Sequence, residues 1–383
     1  MPRPAGVAAA RATRRSSSAV PRYPRAAAPP VLVEVRRGGI VESRHRGHVV
    51  QVSAQGDIER AIGDPTVEVT LRSAVKPFAL VALIESGAAD ELRLSPQELA
   101  VMAASHTGED RHVRTLPGVF RRAGVSQSLL RCGAAMPSDR RTAARLARDG
   151  EEAGPIRHQC SGFHAASILV SRVADWSLED YDRPEHPSQV AVRAAVATAF
   201  GVTPRALRTA TDDCGLQTYL FPLVDVARAF ALLADPAGSV TGPDDGRAAL
   251  VAPLTRVRDA MLGAPDMVGG TDGVLDTLLM QTLAGRAVSK GGAEGLRGVG
   301  LLPAARGTGK PAAGVAVRID DGDLGARANR AVTLEALDQL GVLDDRARRL
   351  LALHHRPVVR SPGGDLIAEV VPEFGLAPIS ELG

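Results

Sequence analysis

The segment Arg72-Ser73-Ala74-Val75-Lys76 sets a hydroxyl and an amine three residues apart. On a helix that spacing puts both on one face, within reach of each other. Pro77 follows at once, and a first turn tolerates it. A serine becomes a nucleophile when a neighbouring base takes its proton. A free lysine, with a pKa of about 10.4, is mostly protonated at neutral pH. Burial or a second cation must bring it toward roughly 7–8, a shift worth about 4 kcal/mol. Lys290 is the candidate for that second cation. Lysine is rare in this chain: of 46 basic residues only three are Lys, at 76, 290 and 310. Arg does not lose its proton in a protein, whereas buried Lys does. A chain that writes positive charge as Arg and keeps lysine at three positions therefore points to amine chemistry.

An S-x-x-K at a helix start is the nucleophile arrangement of serine β-lactamases and penicillin-binding proteins, and AVSKGGAEG (287–295) is a looser match to their K-T-G strand. ASHTGE (104–109) follows a helix announced by Ser95, Pro96 and Glu98. In that turn Ser105 can relay protons or donate to a substrate, and His106 and Glu109 can bind its polar ends. Two Cys-bearing turns remain, H-Q-C-S-G-F-H (158–164) and T-D-D-C-G (211–215). One reading makes Cys160 and Cys214, with Asp212 or a His, ligands of Zn²⁺. A second makes them buried thiols acting as small hydrophobes. A third makes one of them a nucleophile with His partners. The usual C-x-x-C and H-x-x-x-H pairs are absent. GTGK (307–310) lacks the first Gly and the hydroxyl residue of a phosphate-binding loop, and no G-x-G-x-x-G follows a strand.

These residues need elements to hold them. After an Arg/Ala/Pro/Ser-rich arm over residues 1–30, read as disordered, VLVEVRR and IVES, then GHVVQVS, alternate as antiparallel strands, and VEVTLR (67–72) leads into a helix that Gly87 ends. Helical patterns run over 110–123, 138–151, 163–175, 187–200, 222–234, 246–262 and 272–284, with a loop at GPDDG (242–246). Strands return at 287–290, 296–302, 313–319 and 366–372, with a helix at 325–340. Strands cluster at both chain ends and helices fill the middle. The fold class is α+β: one antiparallel sheet built from both ends, with a helical part over about 95–284. Residues 31–376 read as one domain and 377–383 as a tail. The arm carries six Arg and no acid, so without it the balance is 40 basic to 43 acidic residues. A mildly acidic body excludes a nucleic-acid-binding surface. The longest apolar run, Phe78–Ile84, is too short to cross a membrane. Three widely spaced cysteines are no disulfide framework, which points to a cytoplasmic setting.

Strand-RSAVKPF, AASHTGE, HQCSGFH, TDDCG, SKGGAEG and GVAVRIDDGD, in this order from about Val31 to Phe374, resemble the L-asparaginase II family, the rhizobial-type asparaginases. The resemblance implies a serine β-lactamase- and glutaminase-like fold, a homodimer, and hydrolysis of L-asparagine to L-aspartate and ammonia with no cofactor required. It implies Ser73 as nucleophile with Lys76 as its base, and Ser105 with Lys290 as a second pair. Arg72, His106, Glu109, His158, His164 and Asp212 are the residues expected to recognise the substrate's charged ends. Cys160, Asp212 and Cys214 line a neighbouring polar site that in the family holds zinc. The chain departs from the family there: Phe163 stands where the family commonly has Lys, Gln159 where it has Asn, and Asp276 where some relatives have a further Cys. Phe neither ligates a metal nor carries charge, so a weaker zinc site or none is expected. Glutamine or another small amide is the alternative substrate, since one methylene in a pocket is worth only about 1–3 kcal/mol. A binding protein that keeps the fold without the activity is the other alternative.

Overall fold

The computed structural model describes residues 28–242 and 245–378. The expected arm therefore lies outside the described residues up to position 27, as does the tail from 379 onward.

Alternating apolar residues make β1 (Val31–Arg37) and the long β2 (Ile40–Ser53). They are joined by Gly38 and Gly39 at φ 55° and 82°, where any side chain would be strained. β3 (Ile58–Ile62) and β4 (Glu68–Thr70) follow. The chain then turns helical, apart from β5 (Arg208–Thr211) and β6 (Gln217–Pro222). The closing strands are β7 (Ala287–Gly291), β8 (Leu296–Leu301), β9 (Ala313–Ile319), β10 (Val358–Arg360), β11 (Leu366–Pro372) and β12 (Ala377–Pro378). The main sheet runs β10-β11-β1-β2-β9-β8-β7, with β3 on β2 and β12 on β3, all antiparallel. Both chain ends thus contribute to one sheet, and the helices lie between them in sequence. A small sheet, β4-β6-β5, sits inside the helical part.

One face of the main sheet receives helix Leu223–Ala234. The approach is close: a Cβ at Gly314 would fall 1.8 Å from the Ala227 carbonyl oxygen, and one at Gly298 would strike the Phe230 ring. Phe230 in turn meets Phe78 edge-on at 5.4 Å, tying the helix after Ser73 to the sheet. The opposite face buries the apolar sides of Arg327–Gln339 and Asp345–His355, with Leu334, Leu337 and Leu351 against Val315 and Val317. The fold is the α+β arrangement expected.

Candidate active site

Ser73 is placed by the small sheet. β4 pairs with β6, and the register continues past the strand through Leu71 N–H to the Tyr219 carbonyl (2.8 Å) and Arg72 N–H to Thr218 Oγ1 (2.8 Å). Arg72 then takes φ 48°, a left-handed conformation that costs a non-glycine residue on the order of 1–3 kcal/mol. Its guanidinium is held by Asp212 at 2.9 Å and by Asp213, on the turn between β5 and β6. This sharp bend ends the strand at Thr70 rather than at 72. It starts a 3-10 turn over Arg72–Val75, which runs into helix Lys76–Ala79. Ser73 is half-buried at the mouth of that turn, and Lys76 is buried one turn below.

Four groups, Lys76, Ser105, Cys160 and Lys290, converge in the buried site, and none of them is hydrogen-bonded to the Ser73 hydroxyl. Lys76 Nζ donates to the Ala104 carbonyl (2.6 Å), Ser105 Oγ (3.1 Å) and Cys160 Sγ (3.2 Å). Lys290 Nζ, from β7, donates to the same Ser105 Oγ (3.0 Å) and to the Gly291 carbonyl (2.7 Å). Ser105 therefore bridges two buried amines. Its backbone is fixed by N–H to the Val268 carbonyl (3.2 Å), in the turn after the capped helix Pro96–Met102. Cys160 reaches Lys76 because helix Ser161–Val173 crosses that capped helix at Gly162, where a Cβ would lie 2.0 Å from the Val101 oxygen. Burial pushes the Lys290 amine down to about 7; Asp276 opposes the shift, while Lys76 and Arg297 reinforce it. The Cys160 thiol is driven toward the thiolate by the hydrogen bond from Cys214, then by Lys76 and His158, and the same contact pushes Cys214 up.

The remaining expected residues divide by what they touch. Arg72 and Asp212 pair with each other, so they brace the bend before Ser73. His106 is buried; its Nδ1 accepts from Gly108 N–H (3.1 Å) and its Nε2 meets Ser161 Oγ (3.0 Å). Burial holds it well below the ordinary imidazole range, as a neutral strut. Glu109 accepts from Thr107 Oγ1, Thr271 N–H and Thr271 Oγ1 at 2.7–3.0 Å and clamps the loop over Gly270. His164 is bonded to Tyr181 Oη (2.8 Å) and pushed by burial to about 4. His158 accepts the Cys160 N–H (3.0 Å) and lines, with His106, Arg157 and Gln159, a cavity of about 190 Å³ beside the site. Of the six, His158 is the side chain best placed beside both the Lys76–Cys160 pair and an open cavity.

The sequence profile described as L-asparaginase II matches residues 33–371. The chain belongs to the L-asparaginase II family. The family makes it an amide hydrolase, and the observed fold is the α+β layout with one antiparallel sheet from both chain ends. No curated protein matches the sequence. Among solved structures, the chain is similar to a probable glutaminase from Bacillus subtilis complexed with 6-diazo-5-oxo-L-norleucine. That match has 11% identity, covers 79% of this chain and 87% of that one, and has a TM-score of 0.39. It is also similar to a Bacillus subtilis glutaminase in covalent complex with 5-oxo-L-norleucine, at 10% identity, 76% and 88% coverage and a TM-score of 0.36. At such low similarity these add nothing to the family assignment.

The L-asparaginase II members' zinc cluster finds a poor counterpart here. Among the described residues no group of three His, Cys, Asp or Glu side chains is placed to hold a metal ion. Cys160 and Cys214 do adjoin, but Asp212 is turned to Arg72 and to Asp213 N–H. The Lys76 amine lies on the Cys160 sulfur, and the Phe163 ring lies 5.9 Å from that amine. The residues do not fit a zinc site; the Cys160 sulfur beside the Lys76 amine, with the Phe163 ring over that amine, stands in its place. One network escaped the sequence reading, which noted Asp276 only as a departure from the family. Asp276, Ser289, Arg297 and Asn329 form a buried polar network behind β7. Its signal was Arg297, the one charged residue in the otherwise apolar and glycine strand LRGVGL.

Proposed function

We propose that this chain hydrolyses the side-chain amide of L-asparagine, with Ser73 as nucleophile and the proton leaving through Ser105 to Lys290. One observation carries the reading: a single hydroxyl, Ser105 Oγ, lies within hydrogen-bond distance of two buried amines, one of them Lys76, on the turn after Ser73. Lys76 is already engaged by three partners, Ala104, Ser105 and Cys160, none of them Ser73. Lys290 has two, and burial brings it near neutral pH. The base role expected of Lys76 is thus better supported at Lys290. Once Lys290 is neutral, Ser105 O–H donates to its Nζ, and the route requires Ser73 O–H to turn onto Ser105 Oγ as substrate binds. Ser73 Oγ attacks the amide carbon, and backbone N–H groups at the helix start, that of Ser73 among them, hold the oxyanion. The proton returns to the leaving nitrogen, ammonia departs, and water releases aspartate from the acyl-enzyme by the same route. Lys76 holds Ser105 in place and is itself held by Cys160.

Three free, buried cysteines support a reducing compartment such as the cytoplasm, and family membership supports a homodimer. The test of the activity is ammonia release from L-asparagine and L-glutamine by the purified chain. The expected result is asparagine turnover with kcat/KM at least tenfold above that for glutamine. Glutamine preferred over asparagine would move the assignment to a glutaminase, and turnover of neither would remove it.

A further inference from the structure

β7 carries Lys290 between Ser289 and Gly291, and a strand sends alternate residues to opposite faces. Lys290 points forward to Ser105. Behind it, the buried carboxylate of Asp276, near the start of helix Leu275–Thr282, accepts from Ser289 Oγ (2.7 Å) and from Gly291 N–H (2.9 Å). It also accepts from Arg297 on β8, whose Nε donates to Asn329 Oδ1 (2.9 Å) on the next helix. Asn329 is in turn bonded to Asp323 and to the Gly295 carbonyl. The two residues flanking the lysine are thus tied to one carboxylate, and that carboxylate is anchored to two further elements.

We infer that Asp276 is the positioning residue of Lys290: from the back of β7 it clamps both neighbours of the lysine, which fixes Nζ on Ser105, and it supplies the negative charge nearest that amine from behind. This rests on the amide-hydrolase reading of the same site. The charges around Lys290 come from every element packed on it. They are Asp276 from its own helix, Lys76 from the helix after Ser73, Cys160 from the crossing helix and Arg297 from β8, with Arg330 behind them facing Asp276 and Arg297. Asp276 is the carboxylate of this set and opposes deprotonation of Lys290, while Arg297 partly cancels it. Removing the carboxylate alone leaves Arg297 unmatched, so the amine loses its proton at lower pH. Removing both members of the ion pair restores the balance.

With only three lysines in the chain, ¹³Cε-lysine labelling gives three NMR resonances that titrate one by one, assigned with Lys290→Arg and Lys76→Arg. In Asp276→Asn the Lys290 midpoint is expected to fall by about one pH unit or more, and kcat for L-asparagine to fall at least tenfold with KM within threefold. In Asp276→Asn/Arg297→Met the midpoint is expected back within half a unit of wild type. Ser289→Ala, a milder change, removes one arm of the clamp and keeps the charge. It is expected to lower kcat three- to tenfold with the midpoint unmoved. An unmoved midpoint in Asp276→Asn, or full kcat in Ser289→Ala, would overturn the inference. A wild-type chain that hydrolyses neither amide while the midpoint shifts as stated would instead count against the functional reading alone.

Discussion

Lys290→Arg is the substitution that isolates what burial does for this site. Arg keeps the positive charge and offers donors to Ser105 Oγ and the Gly291 carbonyl, but it is never neutral in a protein. In the wild type, burial carries Lys290 from 10.5 to about 7. At pH 7 roughly half of the amine is then free to accept a proton, against roughly one part in 3,000 for an ordinary lysine, since each pKa unit is tenfold. A positioned general base contributes about 10²–10⁴-fold. The expected loss in kcat/KM for Lys290→Arg at pH 7.5 is therefore about 10³-fold. The pH profile gives the sharper reading. Because the neutral amine is the active form, wild-type kcat/KM should rise with unit slope through about pH 7 and level off above it. That limb should be absent from Lys290→Arg and retained, at a lower plateau, in Lys76→Arg. The assay is initial-rate ammonia release between pH 5.5 and 9 with unfolding monitored in parallel. A Lys290→Arg enzyme with more than a tenth of wild-type activity and the same limb would refute the reasoning.

The chain should need no zinc: wild-type protein purified from zinc-supplemented medium is expected to hold well under one equivalent and to keep its turnover in chelator. Stoichiometric zinc with chelator-sensitive activity would contradict the placement of Lys76 on Cys160. Stability should fall with acid between about pH 6.5 and 4. His164 is held near 4 when folded and is close to 6.5 when unfolded, so in this window the unfolded chain binds more protons and folding loses ground as pH drops. At 1.36 kcal/mol per unit the shift is worth up to about 3 kcal/mol, with His106 and His112 acting in the same direction. Urea midpoints at pH 7.5, 5.5 and 4.5 measure it, and a flat series would contradict the burial of these rings.

Much of the frame was legible because its signals are local. The capping box at Ser95 and Glu98, the hairpin glycines 38 and 39, and the alternation in VLVEVRR act within a few residues, and those elements lie where expected. β5 and β6 were missed because RTAT is exposed and QTYLFP is short; only pairing with β4 makes them strands. Helix Asp345–His355 was missed too, although Asp344 caps it, because its apolar stripe is thin and broken by arginines. In the site, residue type and motif singled out Lys76, Ser105 and Lys290, which the fold brings together, and Ser73 at the turn before Lys76. Their wiring was not legible. That both amines meet on Ser105 depends on Gly162 letting two helices cross and on Asp276 reaching β7, contacts between residues far apart in sequence. His106, Glu109 and His164 were read as recognising substrate because a polar side chain in a turn looks the same whether it faces a ligand or braces a loop.

The central claim is that Ser73 is the acylated residue, and intact-mass measurement of the full chain quenched during L-asparagine turnover tests it most directly. The account predicts a covalent aspartyl adduct on the peptide carrying Ser73, accumulating in Lys290→Arg under slow turnover and absent from Ser73→Ala, which releases no ammonia. Turnover retained in Ser73→Ala, or an adduct on Cys160 or Ser105 instead, would contradict it.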